Sequence, residues 1–167
     1  MRRVAVGMIV VGLAACSLAC GGGGGDYASP KATYQTMLTA AKAGNREAMV
    51  ACFTEAMRKS IAEMKTVSED MAKEMPEMRD AMAGGDMVAR MLEGMKTAKV
   101  EIGPEKITVQ TATLEITTAG IKATANFVQE AGAWKIRLPS EARMREGVEK
   151  MRKELEEMRA TKKAAKE

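Results

Sequence analysis

"KITVQTATLEITTAGIKATANFVQEAGAWKIRLP", residues 106–139, decides the fold. Thr108, Val109, Thr111, Thr113, Ile116 and Thr117 make its first part rich in β-branched residues, which fit a pleated, half-buried surface. "IKATANFVQE" then alternates Ile121, Ala123, Ala125 and Phe127 against Lys122, Thr124 and Asn126. "AWKIRLP" alternates Trp134, Ile136 and Leu138 against Lys135 and Arg137. A period of two is that of a strand with one face on a core. Thr118-Ala119-Gly120 and Glu130-Ala131-Gly132 are short enough for hairpins, so these strands form an antiparallel meander. Just upstream, "KVEI" reads as a short strand, with Gly103-Pro104 as the turn that follows it. The apolar phase moves from Ile107 and Val109 to Ala112, Leu114 and Ile116, which predicts a bulge near Gln110.

Ahead of the strands the period is helical. Ser29 is a capping residue and Pro30 is preset for a first helical turn; Tyr34, Met37, Leu38 and Ala41 follow at helical spacing. Gly44 fits a left-handed helix end, and Asn45 can cap a second helix carrying Met49, Cys52 and Phe53. From Met57, the residues Ile61, Met64, Met71, Met75, Met78 and Met82 fall on one face, with Pro76 expected to kink or restart the helix. Gly84-Gly85 break it, and Asp86 can cap another helix with Met87, Val88, Met91, Leu92 and Met95. Helices first and a curled antiparallel sheet of about four strands last is an α+β order. Residues 140–167 form a charged C-terminal helix with a narrow stripe of Met144, Val148, Met151, Leu155 and Met158. That stripe either packs on its own domain or takes a helix partner, including a second copy of the chain; only two heptads are clear.

Composition narrows the functions. The 167 residues, 46% hydrophobic and 29% charged, suit one globular domain with accessories. The net charge of +4 drops to +2 without residues 1–15, which carry Arg2 and Arg3. So small a charge, spread over mixed-sign segments, argues against a nucleic-acid partner. Histidine is absent, aromatics are 3%, and there are 16 methionines.

The N-terminus gives the address. Arg2 and Arg3 precede an apolar run over residues 4–12, too short to span a bilayer, so residues 1–15 read as a secretory signal. Leu13-Ala14-Ala15-Cys16 resembles a bacterial lipoprotein signal, whose cysteine is lipidated and becomes the new N-terminus. Ser17-Leu18-Ala19-Cys20 offers Cys20 as the alternative attachment site, with Ser where Leu is preferred. Several acyl chains on one residue give stable anchoring. Residues 16–28 then hold the attachment site and a glycine-rich tether. Its five glycines span roughly 12 Å, from about 5–6 Å times the square root of length. The resemblance implies an envelope protein; with no Asp after either cysteine, it favours the outer membrane, facing the periplasm, in a host with two membranes. A metal or disulfide reading of Cys16 and Cys20 lacks the histidine or second cysteine pair that would complete a site. Cys52, among apolar residues, reads as a buried inert thiol.

Residues 29–139 carry a second resemblance. "SPKATYQTMLTAAKAGNREAMVACFTEAMR", followed by strands closing on Gly132, Trp134, Lys135 and Ile136, is similar to the cone-shaped domains related to nuclear transport factor two, particularly their short lipoprotein versions. The resemblance implies a cone whose open end can hold a small apolar ligand. Enzymes of that family set polar groups inside an apolar cavity, as ketosteroid isomerase does. Here no histidine is present, and Asp26, Asp70, Asp80 and Asp86 fall in the tether or on helices and caps. Glu101, Glu115 and Glu130 lie in or beside strands without forming an acid/base couple. The sequence therefore predicts no enzyme, no catalytic residues, no bound metal and no cofactor, but a tethered binding or scaffolding module. One alternative is Cu(I) binding by thioethers, since Met71, Met75, Met78 and Met82 recur at 4-3-4 spacing on one helix face. Against it stands the spread of methionine over every long helix, as expected of a flexible core filler. A cone-fold enzyme or a carrier of a small apolar ligand is the other alternative.

Overall fold

A computed structural model describes residues 26–76 and 86–165. Cys16, Cys20, Met78, Asp80, Met82 and the Gly84-Gly85 break lie outside the described residues. The fold is α+β, as the hydrophobic pattern predicts. Helices α1 (Pro30–Lys42), α2 (Arg46–Ala51), α3 (Glu55–Glu74) and α4 (Met87–Lys96) precede strands β1 (Val100–Ile107), β2 (Thr111–Thr118), β3 (Ile121–Glu130) and β4 (Ala133–Arg137). Helix α5 (Glu141–Ala164) follows. The strands form an open antiparallel sheet in the order β1-β2-β3-β4. Among the described residues no helix is long and apolar enough to cross a membrane.

Local chemistry sets each helix start. Ser29 Oγ accepts the Ala32 N–H, Asn45 Oδ1 the Ala48 N–H, Thr54 Oγ1 the Met57 N–H, and Asp86 Oδ1 those of Val88 and Ala89. Gly44, at φ +68°, takes the left-handed conformation that turns α1 into α2. Pro76 follows the end of α3, so the helix stops where its ring would break the hydrogen-bond ladder. Both predicted hairpins are two-residue turns, Ala119-Gly120 and Ala131-Gly132, with positive φ at both positions.

Two strand expectations are corrected. Gly103-Pro104 is not a turn: β1 runs through it, and the pairing with β2 slips by one residue between Ile102 and Glu105. A Cβ on Gly103 would lie 3.1 Å from the Glu115 Cβ and 3.2 Å from its carbonyl oxygen, so the close approach of β2 favours glycine. Pro104, with no N–H to offer, is tolerated on this edge strand at the bulge. Conversely, the phase shift near Gln110 is not a bulge but a chain reversal. Thr108 N–H and Oγ1 both bond Thr111 O, at 2.8 and 2.9 Å, and Val109 stands at the tip, 92% exposed. A third expectation holds only in part. Ile121 and Ala123, read as inward-facing, are exposed, because β4 pairs only with the 126–130 end of β3 and the helices do not cover the rest.

The main core lies between α1–α3 and one sheet face. Tyr34, Met37, Met49, Phe53 and Met57 pack against Leu114, Phe127, Trp134 and Ile136. A second, smaller cluster joins Val67 and Met71 of α3 to Leu155 of α5, flanked by Met75, Met151 and Met158. These helices run parallel in constant register, Thr54 bonding Glu141, Glu63 pairing with Arg152 and Asp70 with Arg159. The apolar stripe of the C-terminal helix is thus buried within its own chain at Met144, Val148 and Leu155, with Leu155 packed on Val67 and Met71 of α3.

Candidate functional site

The residues of the "GAWKI" stretch have structural tasks that their order dictates. Gly132 supplies the second positive φ of its hairpin, and Trp134 and Ile136 face the core. Ile136 also exchanges backbone bonds with the segment after α2: its N–H donates to Cys52 O at 2.8 Å, and its carbonyl accepts from Thr54 N–H at 3.1 Å. Lys135 alternates to the other face. Its Nζ donates to Ala51 O at 2.8 Å and stands 3.8 Å from the ring centroid of Tyr27. The cation therefore meets the negative end of α2 and an aromatic face together.

Cys52 belongs to this node. Its thiol is wholly buried and its sulfur lies 3.4 Å from Ala48 O. Burial pushes the thiol up to about 11, against which Lys135 and Tyr27 work weakly. At neutral pH it is protonated and a poor nucleophile. Burial also raises the Tyr27 hydroxyl, with Cys52 adding to it, and burial then Arg58 lowers Lys135.

Two strand carboxylates are occupied as well, while Glu101 and Glu115 are exposed. Glu105, which the bulge turns toward α1, accepts the Lys31 N–H at 3.2 Å. Glu130 accepts the Glu55 N–H at 2.9 Å at the start of α3. Each satisfies an otherwise orphan donor in the first turn of a helix and sits at the favourable end of its dipole. Sequence reasoning placed Glu130 beside a strand but could not see the helix end it serves; Glu105 was missed because the bulge that orients it was read as a turn.

Among the described residues, a hollow of about 590 Å³ opens where β4 ends and the chain leaves the sheet at Leu138-Pro139. Ala56 and Ser60 of α3 form one wall, and Glu141, Ala142 and Arg145 of α5 another. The floor comes from the strands, with Thr113, Asn126 and Arg137 as successive cross-strand partners. Ala112, Phe127 and Leu138 add apolar surface. Sequence periodicity marks most of these residues as outward-facing and ordinary. Only the exit of the chain after β4, which brings α5 back alongside α3, makes them converge. Of the methionines at 4-3-4 spacing, Met71 is buried against Leu155 and Met75 packs at its edge, while Met78 and Met82 lie outside the described residues.

Comparison with known proteins returns no matching family, no curated protein and no solved structure.

Proposed function

We propose that this is a non-enzymatic, lipid-anchored envelope protein that acts as a tethered binding module, with the hollow between α3, α5 and the sheet as its binding site. The observation that carries the reading is this hollow itself. Its volume falls in the roughly 300–1,000 Å³ range of small-molecule sites, and its lining mixes apolar walls with a few polar groups. Two of the strand carboxylates, Glu105 and Glu130, are engaged at helix N-termini, and the exposed Glu101 and Glu115 do not line the hollow. The methionines favour packing over copper, since Met71 is enclosed by Val67 and Leu155. The likeness to cone-shaped lipoprotein domains agrees with a carrier role, and the lipobox at Cys16, or Cys20, supplies the anchor.

Two measurements test the reading. Intact mass of the membrane-extracted protein is expected to show acyl chains, lost when Cys16→Ser and Cys20→Ser are combined; an unacylated mature mass refutes the anchor. Native mass spectrometry is expected to show a co-purified small molecule released by denaturation. A ligand-free protein that binds no added small molecule refutes the binding module.

A further inference from the structure

The hollow is more specific than a generic cavity, and we infer that it takes a small organic oxyanion, a carboxylate or phosphate carried on an apolar body, with Arg137 and Arg145 as its charge partners. This rests on the hollow being the binding site. Both arginines are exposed at its rim and have no ion-pair partner among the described residues. Farther along α5, Arg152 pairs with Glu63 and Arg159 with Asp70 and Glu74, whereas Arg143 in the first turn is, like Arg145, without an ion pair among the described residues. Two free guanidiniums at one hollow present forked donors of the geometry that carboxylates and phosphates accept.

The N-terminus of α5 adds to them. Ser140 makes no side-chain capping bond, unlike the residues that open α1 to α4, and Ala142 in the first turn lines the hollow. Free N–H groups and the dipole of a 24-residue helix favour negative charge there. The independent observation is Ser60. It is only 6% exposed, lines the hollow from the α3 side, and its hydroxyl, which has no hydrogen-bond partner among the described residues, keeps contact with solvent. A hydroxyl that reaches solvent from an otherwise enclosed side chain is free to donate, and an acceptor oxygen in the hollow would replace water on it. Asn126 offers further donors beside Arg137.

One carboxylate shares the lining, Glu141. Its Oε2 is engaged by the Thr54 hydroxyl at 3.0 Å, which orients it to α3 and leaves the lining with a positive balance of two arginines to one glutamate. Ala112, Phe127 and Leu138 then contact the uncharged part of the ligand. A bare inorganic anion would leave that surface unused.

The test uses the full chain in lipid nanodiscs, titrated with phenyl phosphate, benzoate and phenol and followed by ligand-observed NMR. At least one of the two acids is expected to bind with a Kd on the order of 1 mM or tighter, and at least about tenfold more tightly than phenol. Which acid binds more tightly identifies the head group. Arg137→Gln and Arg145→Gln are each expected to weaken that acid about tenfold and leave phenol unchanged. Ser60→Ala is expected to weaken the acid without lowering the melting temperature, a separation that a purely structural serine would not give. Equal binding of phenol and both acids, or acid binding unaffected by both arginine variants, overturns the oxyanion assignment and leaves the binding site standing. Failure of all three probes to bind, with no co-purified ligand, overturns the site itself.

Discussion

Leu155→Ala is expected to melt the far half of α5 while leaving the sheet folded. Leu155 is 4% exposed and, among the described residues, shares its cluster with two other buried side chains, Val67 and Met71. Leucine-to-alanine changes in cores cost about 2–5 kcal/mol, and the lower half of that range applies here because flexible Met75, Met151 and Met158 can partly fill the gap. About 2–3 kcal/mol is nonetheless a large share of what holds this end. The charges along it, Arg159 with Asp70 and Glu74 and Lys162 with Glu74, are on the surface, where screening leaves them setting register more than strength. Past Met151 the helix has little more than three turns left, a length that is marginal in water without packing. Trp134, buried in the main core, supplies an independent reporter. The expected result is a loss of helical circular dichroism equal to roughly half of α5 with unchanged Trp134 emission and an unchanged melting of the sheet. A single transition in which both signals shift together would refute the division into two cores. Full retention of helix would refute the claim that this stripe is what holds α5.

Two further outcomes follow from local geometry. Ala131 sits at φ +49° in the hairpin before β4, so Ala131→Asn, which forms an Asn-Gly turn, is expected to raise stability by about 0.5–1 kcal/mol in chemical denaturation; a loss would show that the turn is not strained. Cys52, about 11 when folded against 9.0 ordinarily, keeps its proton in the folded chain while the unfolded chain loses it between pH 9 and 11. Stability should therefore fall by up to about 2 kcal/mol as pH rises through that window; the raised Tyr27 acts in the same direction and the lowered Lys135 opposes it. Cys52→Ala is expected to flatten this slope whatever it does to absolute stability, and an unchanged slope would remove Cys52 as its cause.

The elements were legible where local chemistry decides them. Caps at Ser29, Asn45 and Asp86, the two hairpins, and the strand alternation through Phe127, Trp134 and Ile136 all follow from residue type and period. Reversal at Thr108-Val109-Gln110 was not legible, because it is made by threonine side-chain bonds without glycine or proline. The bulge at Gly103 was misread for the opposite reason. Glycine and proline there serve a close strand contact instead of a chain reversal, a distinction that resides in Glu115 across the sheet. Partner choice was the least legible: the heptad stripe of α5 names a helix-binding face but not whose helix. The hollow likewise depends on three distant segments meeting, and none of Ser60, Arg137 and Arg145 carries a motif.

The parallel pairing of α3 with α5 has a kinetic consequence. Residues that touch across it are 85 to 89 positions apart in the chain, with α4 and the whole sheet between them. Two parallel helices cannot be closed by a short loop, so this contact carries a high loop-closure entropy and belongs to the late part of folding. The hairpins, each closed by two residues, can form long before it. In that interval the Val67–Met71 face of α3 is uncovered, and the same interval leaves the hollow without its α5 wall. Completion of the hollow and burial of the Val67–Met71 face are therefore one event, set by the docking of a single helix.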